Sequence, residues 1–229
     1  MSDTPNSDVW IIVPAYNEGP RLGRTLAALC PLWPNVVVVD DGSTDDTAAL
    51  AARAPVWLLR HVVNRGQGAA LQTGIDFALA RGAGVLVTFD SDGQHDPAEI
   101  ARLVEPVRAG KADVALGSRF LGGTVGMPTG RALVLRLGVL FTRVFSQIRV
   151  SDTHNGLRAV SRAAAERLHL TQDRMAHASE ILDRIHQERW RYVEVPVTIR
   201  YFDEALAKGQ SSWNALRIVG QLLLGRLIR

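Results

Sequence analysis

Asp90, Asp92 and Asp96 stand within seven residues in LVTFDSDGQHD (86–96), after an apolar run ending in Phe89, with Gln94 and His95 between them. Carboxylates set that close repel one another unless a cation or a hydrogen-bond donor compensates them. Hard divalent cations take oxygen ligands, and Mg²⁺ or Mn²⁺ commonly uses one or two carboxylates together with substrate phosphates. Asp92 is the strongest candidate ligand, Asp90 is the second, and Gln94 offers a carbonyl oxygen. His95 suits a structural or substrate-facing place better than the ion, because hard oxygen sites seldom favour imidazole. The competing reading of the same stretch is a turn in which Asp90 and Asp92 only cap backbone groups.

Strand and helix patterns place these acids. VWIIVP (9–14) reads as a strand, followed by a helix with Leu22, Leu26 and Leu29 on one face and Pro20 in its first turn. VVVVDDGSTDDTAALAARA reads as a buried strand, a turn with Gly42, and a helix started by Ser43 or Thr44 with Asp46 placed for a capping box. A third unit aligns Leu71, Ile75 and Leu79 and closes at Gly82. The fourth has Asp96 as N-cap, Pro97 at the first helical position and Gly110 as terminator, and DVALGSRF supplies a further strand. Strands alternating with helices imply a mainly parallel sheet, and ligands of such sheets gather at the carboxyl ends of the strands. The acidic turns after Val39 and Phe89 therefore converge on one crevice although about fifty residues separate them.

The chain has 229 residues, 47% of them hydrophobic, enough for one good-sized core. A net charge of +3 is too mild to argue for nucleic acid, and suits anionic substrates or lipid head groups equally well. Cys30 is the lone cysteine, so no intrachain disulfide and no cysteine metal cluster can form. Residues 1–8 are polar and lack the regions of a signal peptide, and no apolar run approaches twenty residues, so a disordered tail and a cytosolic chain are expected. Residues 131–150 and a C-terminal stretch over 205–229 read as basic amphipathic helices, either packed on the core or lying on an anionic membrane surface.

VPAYNEG, VVVVDDGSTDDT, NRGQGAALQTGIDFA, VTFDSDGQHDP and LGSRF follow one another in the order and at about the spacing of family 2 glycosyltransferases. Over roughly residues 9 to 200 the chain resembles the soluble, polyprenol-phosphate (dolichol-phosphate) mannose synthase type of that family. The resemblance implies an α/β fold, a single GT-A type nucleotide-sugar-binding domain over 9–204 with a mainly parallel central sheet flanked by helices. It also implies metal-dependent inverting transfer from a nucleotide diphosphate sugar to a polyprenyl phosphate or glycan acceptor, at the inner face of a membrane. Pro14, Ala15, Tyr16 and Glu18 would line the base and ribose pocket, and Asp41 with the backbone around Val39 would read the base. Asn64, Arg65 and Gly66 would form a loop near the nucleotide, where Gln67 replaces a lysine common among relatives. Asp90, Ser91 and Asp92, with Gln94, would meet the donor diphosphate and its Mg²⁺ or Mn²⁺. Arg119 and Arg131 match positions that meet the acceptor phosphate, and Arg200 and Lys208 resemble residues of a loop closing over the donor. DTHNGLRAVSR looks like another family segment, in which Asp152 and Arg158 would alternatively form a structural ion pair.

A phosphate acceptor is already anionic near neutral pH, whereas a sugar hydroxyl needs a base within reach, and Glu180 is the candidate. QERWRY superficially echoes a processive-synthase signature, but Gln187 is one residue too close. The main rival is a haloacid-dehalogenase-type phosphohydrolase with Asp90 as nucleophile. Against it, three strand–helix units precede Phe89, and DGQ replaces the usual DGT. A dehydrogenase lacks its Gly-x-Gly-x-x-Gly turn. A module that binds a nucleotide sugar without catalysis is the remaining alternative.

Overall fold

The computed structural model describes residues 6–127, 135, 139, 148–153, 155–173 and 176–201. Among these, the elements in chain order are β1 (Val9–Ala15), α1 (Gly19–Leu29), β2 (Val36–Asp40), α2 (Thr47–Ala51), β3 (Trp57–Arg60), α3 (Gln67–Ala80) and β4 (Val85–Thr88). A 3₁₀ turn (Pro97–Glu99) leads into α4 (Ile100–Arg108), and β5 (Val114–Val125), β6 (Arg158–Ser161), α5 (Arg162–Ala165), α6 (His177–Gln187) and β7 (Tyr192–Arg200) follow. The expected helices over 131–150 and 205–229, and with them Arg131 and Lys208, fall outside the described residues, apart from Leu135, Val139 and residues 148–150.

The strands form one seven-stranded sheet in the order β3-β2-β1-β4-β6-β5-β7. Every residue of β1, β2 and β4 is buried, as uninterrupted apolar runs require of strands covered on both faces. β1 pairs in parallel with β2 and β4, β2 with β3, and β5 with β7. β6 runs antiparallel to both neighbours, β4 and β5. The sheet is thus mainly parallel, with one reversed strand in its interior. Neither β6 nor β7 is foreseen from the sequence: β6 is four residues long and opens on an arginine, a signal too short and too polar for a periodicity argument.

Two apolar layers cover the sheet. Leu22, Leu26 and Leu29 of α1 pack with Ile100, Leu103 and Val107 of α4 on one face, against Ile11, Val13 and Val38. Leu71 and Ile75 of α3 join Ile181, Leu182 and Ile185 of α6 on the other, against Ile12, Val37 and Val39. Leu79 lies partly buried at the edge of that second layer.

Local details correct two expectations. α2 begins at Thr47 rather than after Ser43 or Thr44, and Asp46 at its N-cap makes no side-chain capping bond. Ser43 Oγ instead accepts the Asn17 N–H (3.0 Å), and Thr44 N–H donates to Asn17 Oδ1 (2.9 Å). These residues are spent on joining the β2–α2 turn to the β1–α1 turn. Residues 6–8 of the expected disordered tail are held: the Asp8 carbonyl accepts the Gly84 and Val85 N–H groups, and its carboxylate pairs with Arg108 at 2.7 Å. By contrast the Asp96 side chain accepts the Ala98 N–H, as its N-cap role requires.

The contact between α3 and β1 has no spare room. A Cβ at Gly74 would lie 2.4 Å from Ile12 Cγ2, whereas one at Gly23 of α1 would meet nothing within 4 Å. Gly23→Ala should therefore stabilise the protein by about 0.5–1 kcal/mol through helix propensity. Gly74→Ala should destabilise it by about 1–2 kcal/mol, overpacking outweighing the same gain. Urea denaturation of both variants checks this, and equal shifts would refute the packing argument.

Candidate active site

A cleft of about 500 Å³ opens at the carboxyl ends of β1, β2 and β4. Pro14, Ala15, Tyr16 and Glu18 line it from the β1–α1 turn, Asp41 from the end of β2, and Asn64, Gly66 and Gln67 from the loop before α3. Asp90, Ser91, Asp92, Gln94 and His95 form the loop after β4, and Arg119 comes from β5. Ala70, Gly156, Arg158, His177, Ala178 and Ile199 complete the wall, and none of these six belongs to the expected site. Gly156 precedes β6 and Arg158 opens it, Ile199 belongs to β7, Ala70 to α3, and His177 and Ala178 to α6, and their approach to the cleft depends on tertiary packing.

Asp41 organises the loop before α3. Its Oδ1 accepts from Arg65 N–H (3.0 Å) and lies 2.7 Å from His61 Nδ1; its Oδ2 accepts from Asn64 Nδ2 (2.9 Å) and Gly66 N–H (2.6 Å). A carboxylate has about four acceptor sites, so this one is consumed in shaping the 64–66 loop. These bonds give Asp41 a positioning role toward the 64–66 loop at the edge of the cleft. His61 passes the constraint on to α3 through Thr73 Oγ1, 3.0 Å from its Nε2.

Asp90 is held from several sides. Gln67 Nε2 donates to its Oδ1 (3.0 Å), and His95 Nε2 stands 3.4 Å from Oδ2. A Cβ at position 156 would land 2.0 Å from Oδ2, so only glycine admits this approach. Burial pushes the Asp90 carboxyl up, but the bond and charge of His95, with Arg158 and His177, outweigh it and hold the group below its ordinary value. Asp92 behaves oppositely. Burial, and then the negative charge of Asp90, push its carboxyl from 3.8 up to about 6, while Gln94 N–H donates to its Oδ1 (3.0 Å).

The pair suits a divalent cation. No cluster of three or more acidic, histidine or cysteine ligands occurs among the described residues, and Asp90 and Asp92 would be the carboxylates offered to an ion whose remaining positions went to substrate phosphates and water. That is the habit of Mg²⁺ in phosphate-handling sites. The Asp90 charge, which after burial is the second cause of Asp92's raised carboxyl, is what such an ion would offset.

Other expected site residues lie elsewhere. Val39 is wholly buried in β2. Arg65 is more than half exposed and pairs with Asp173 at 3.6 Å. Arg200 pairs with Asp96 at 3.7 Å, while its N–H donates to the Gln94 carbonyl (3.0 Å). Glu180 is not brought to the cleft: both of its oxygens accept from Thr171 and Gln172 of the segment before α6. Asp152 is bound to Arg119, through Nε at 2.6 Å and N–H at 3.0 Å, rather than serving as the partner expected for Arg158. Arg119 also donates from Nη1 to Tyr201 Oη (2.7 Å).

Comparison with known proteins agrees with this architecture. The pattern of the family described as Glycosyl transferase family 2 matches residues 10–168. The polyprenol monophosphomannose synthase of Mycolicibacterium smegmatis is 34% identical over 223 residues, covering 91% of this chain and 83% of the relative. The UDP-N-acetylglucosamine–dolichyl-phosphate N-acetylglucosaminyltransferase of Methanococcus voltae is 30% identical over 239 residues, covering 94% and 95%. Among solved structures, glucosyl-3-phosphoglycerate synthase from Mycobacterium tuberculosis, in complex with Mn²⁺ and uridine-diphosphate-glucose, superposes with a TM-score of 0.71. It is 20% identical, with 94% of this chain and 76% of that one covered, a likeness of fold.

The acid pair makes stability depend on pH. The folded value of Asp92 lies above its unfolded value, so the native state keeps a proton that the unfolded chain has released. Stability then falls as pH rises from about 4 through about 6. In the presence of EDTA, Asp92→Asn should be more stable than wild type at pH 7.5 by about 1–3 kcal/mol, allowing for partial exposure, and the two should converge near pH 4. Thermal unfolding across pH tests this; a constant difference would show that no such charge strain exists.

Proposed function

The chain belongs to glycosyl transferase family 2, and on that basis we propose that it catalyses metal-dependent, inverting transfer to a polyprenyl phosphate. It is a glycosyltransferase that uses nucleotide sugars. The lipid phosphate is supported by the names of two relatives that together span most of the chain. Their sugars differ, mannose in one and N-acetylglucosamine in the other. The observation that carries the proposal is the Asp90–Asp92 pair at the cleft floor, with opposite displacements of its two carboxyls.

In the proposed reaction, Tyr16 packs against the nucleotide base, and the loop shaped by Asp41 borders the nucleotide. Asp90 and Asp92 hold the cation, Asp92 as the principal ligand and Gln94 beside it. When bound, the ion neutralises charge gathering on the departing diphosphate. A lone pair of the acceptor phosphate oxygen forms the bond to the anomeric carbon from the face opposite the diphosphate. The carbon–oxygen bond to the diphosphate breaks, and its electron pair leaves with the nucleotide. An acceptor phosphate needs no base to remove a proton, consistent with the placement of Glu180 away from the cleft. Arg119 is suited to meet the acceptor's charge.

The phosphohydrolase and non-catalytic readings yield to the family assignment. No helix among the described residues is long and apolar enough to cross a membrane. The lipid acceptor therefore favours action at a membrane surface, with the basic stretches over 131–150 and 205–229 as its contact.

A saturating donor should raise the melting temperature by about 5–10 °C with Mn²⁺ and by far less with EDTA, and Asp92→Ala should abolish the difference. Transfer to a short polyprenyl phosphate, with the anomeric configuration followed by NMR, should give the inverted product. Indifference to Mn²⁺ and Mg²⁺ with every nucleotide sugar would overturn the metal-dependent reading. Sedimentation with anionic liposomes at low salt checks the membrane contact separately.

A further inference from the structure

Arg158 opens β6 with 4% of its surface exposed and lines the cleft. The described residues give its guanidinium no hydrogen bond and no carboxylate within ion-pairing distance; Asp90 and Asp152 act on it only at longer range. Both are already engaged, Asp90 by Gln67 and His95, and Asp152 by Arg119. Burial draws the group below its ordinary value, yet an arginine does not give up its proton in a protein. A buried charge without a direct partner is costly, and a site that exists to receive an anion is one setting in which a fold retains it.

The sheet order shows which anion. The nucleotide side stands over β2 and β1, the acid pair follows β4, and Arg158 pairs in register with Thr88 of β4 and Leu116 of β5 on the far side. A donor laid across the acids from Tyr16 and Asn64 presents its sugar toward β6 and β5, where the attacking group must stand. Arg119 lies on that same side, joined to Arg158 electrostatically through Asp152.

Resting on the transfer reaction proposed above, we propose that Arg158 is a further residue that binds the acceptor, through the acceptor's phosphate. The planar guanidinium is shaped for two phosphate oxygens and has little to offer a hydroxyl.

The test compares wild type with Arg158→Met and Arg158→Lys. Arg158→Met should retain a Mn²⁺-dependent thermal shift given by the donor, reduced at most by the loss of Arg158's charge beside Asp90. It should raise the acceptor KM at least tenfold and lower kcat/KM about a hundredfold, and Arg158→Lys should recover part of this. Methyl phosphate and a short polyprenyl phosphate serve as separate acceptors: the same loss on both shows recognition of the phosphate itself, and turnover of only one identifies its source. An unchanged acceptor KM in Arg158→Met overturns the proposal. Loss of the donor shift with acceptor KM retained also overturns it, assigning Arg158 to the Asp90 cation site. If wild type neither binds a donor nor transfers, the proposed function fails, and the phosphate site is judged by direct binding. Methyl phosphate at low salt should then raise the wild-type melting temperature and not that of Arg158→Met. Should the methionine variant not fold, Arg158→Lys decides: a wild-type acceptor KM, or an undiminished methyl phosphate shift in the absence of transfer, refutes the role.

Discussion

Two carboxylates closing one strand cannot both be comfortably ionised in a partly dry cleft, and the site is arranged around that constraint. The protein resolves it unequally. Gln67, His95, Arg158 and His177 surround Asp90 with donors and positive charge and keep it ionised. Asp92 receives one backbone N–H and the repulsion of its neighbour. A bound cation would complete what the protein leaves uncompensated, so affinity for an ion and strain without one arise from the same geometry.

The other end of the cleft solves a different problem, holding a glycine-containing loop in one shape without secondary structure. Asp41 does so with one side chain, gathering the Arg65 and Gly66 N–H groups and the Asn64 amide, with His61 locked behind it. Gln67, at the start of α3, joins this loop to Asp90. Replacing a lysine by glutamine removes a charge, but the amide keeps a donor aimed at the carboxylate. The loop and the acid pair are therefore mechanically connected, although they approach the cleft from different strands.

β6 divides the cleft. Lying antiparallel between β4 and β5, it brings the Asn155–Arg158 segment to the carboxyl ends of its neighbours. Gly156 lets the main chain approach Asp90, and Arg158 places a cation where a further parallel strand would have placed a strand end. The cleft lining thus passes from the 64–66 loop to the acids to the arginines, the order that the proposed reaction calls for.

Much of this was legible in the residues. Continuous β-branched runs specify the buried strands, glycines at 82 and 110 take up positive φ at helix ends, and Asp96 caps as its sequence context predicts. The acids after Phe89 and the turn after Val39 met in one crevice because parallel strand–helix units leave few other arrangements. What the residues did not disclose are relations between distant segments. Nothing in the residues around Asp41 announces that the 64–66 loop folds over its carboxylate. Nor do the residues disclose that Glu180 is bonded to the chain before α6, or that Arg119 binds Asp152, which the sequence alone would pair with Arg158. Local sequence determines conformation through steric and hydrogen-bonding preferences acting over a few residues. Which carboxylate meets which donor is decided only when the packed sheet sets distances between atoms far apart in the chain, because a polar group's role depends on what remains unsatisfied around it.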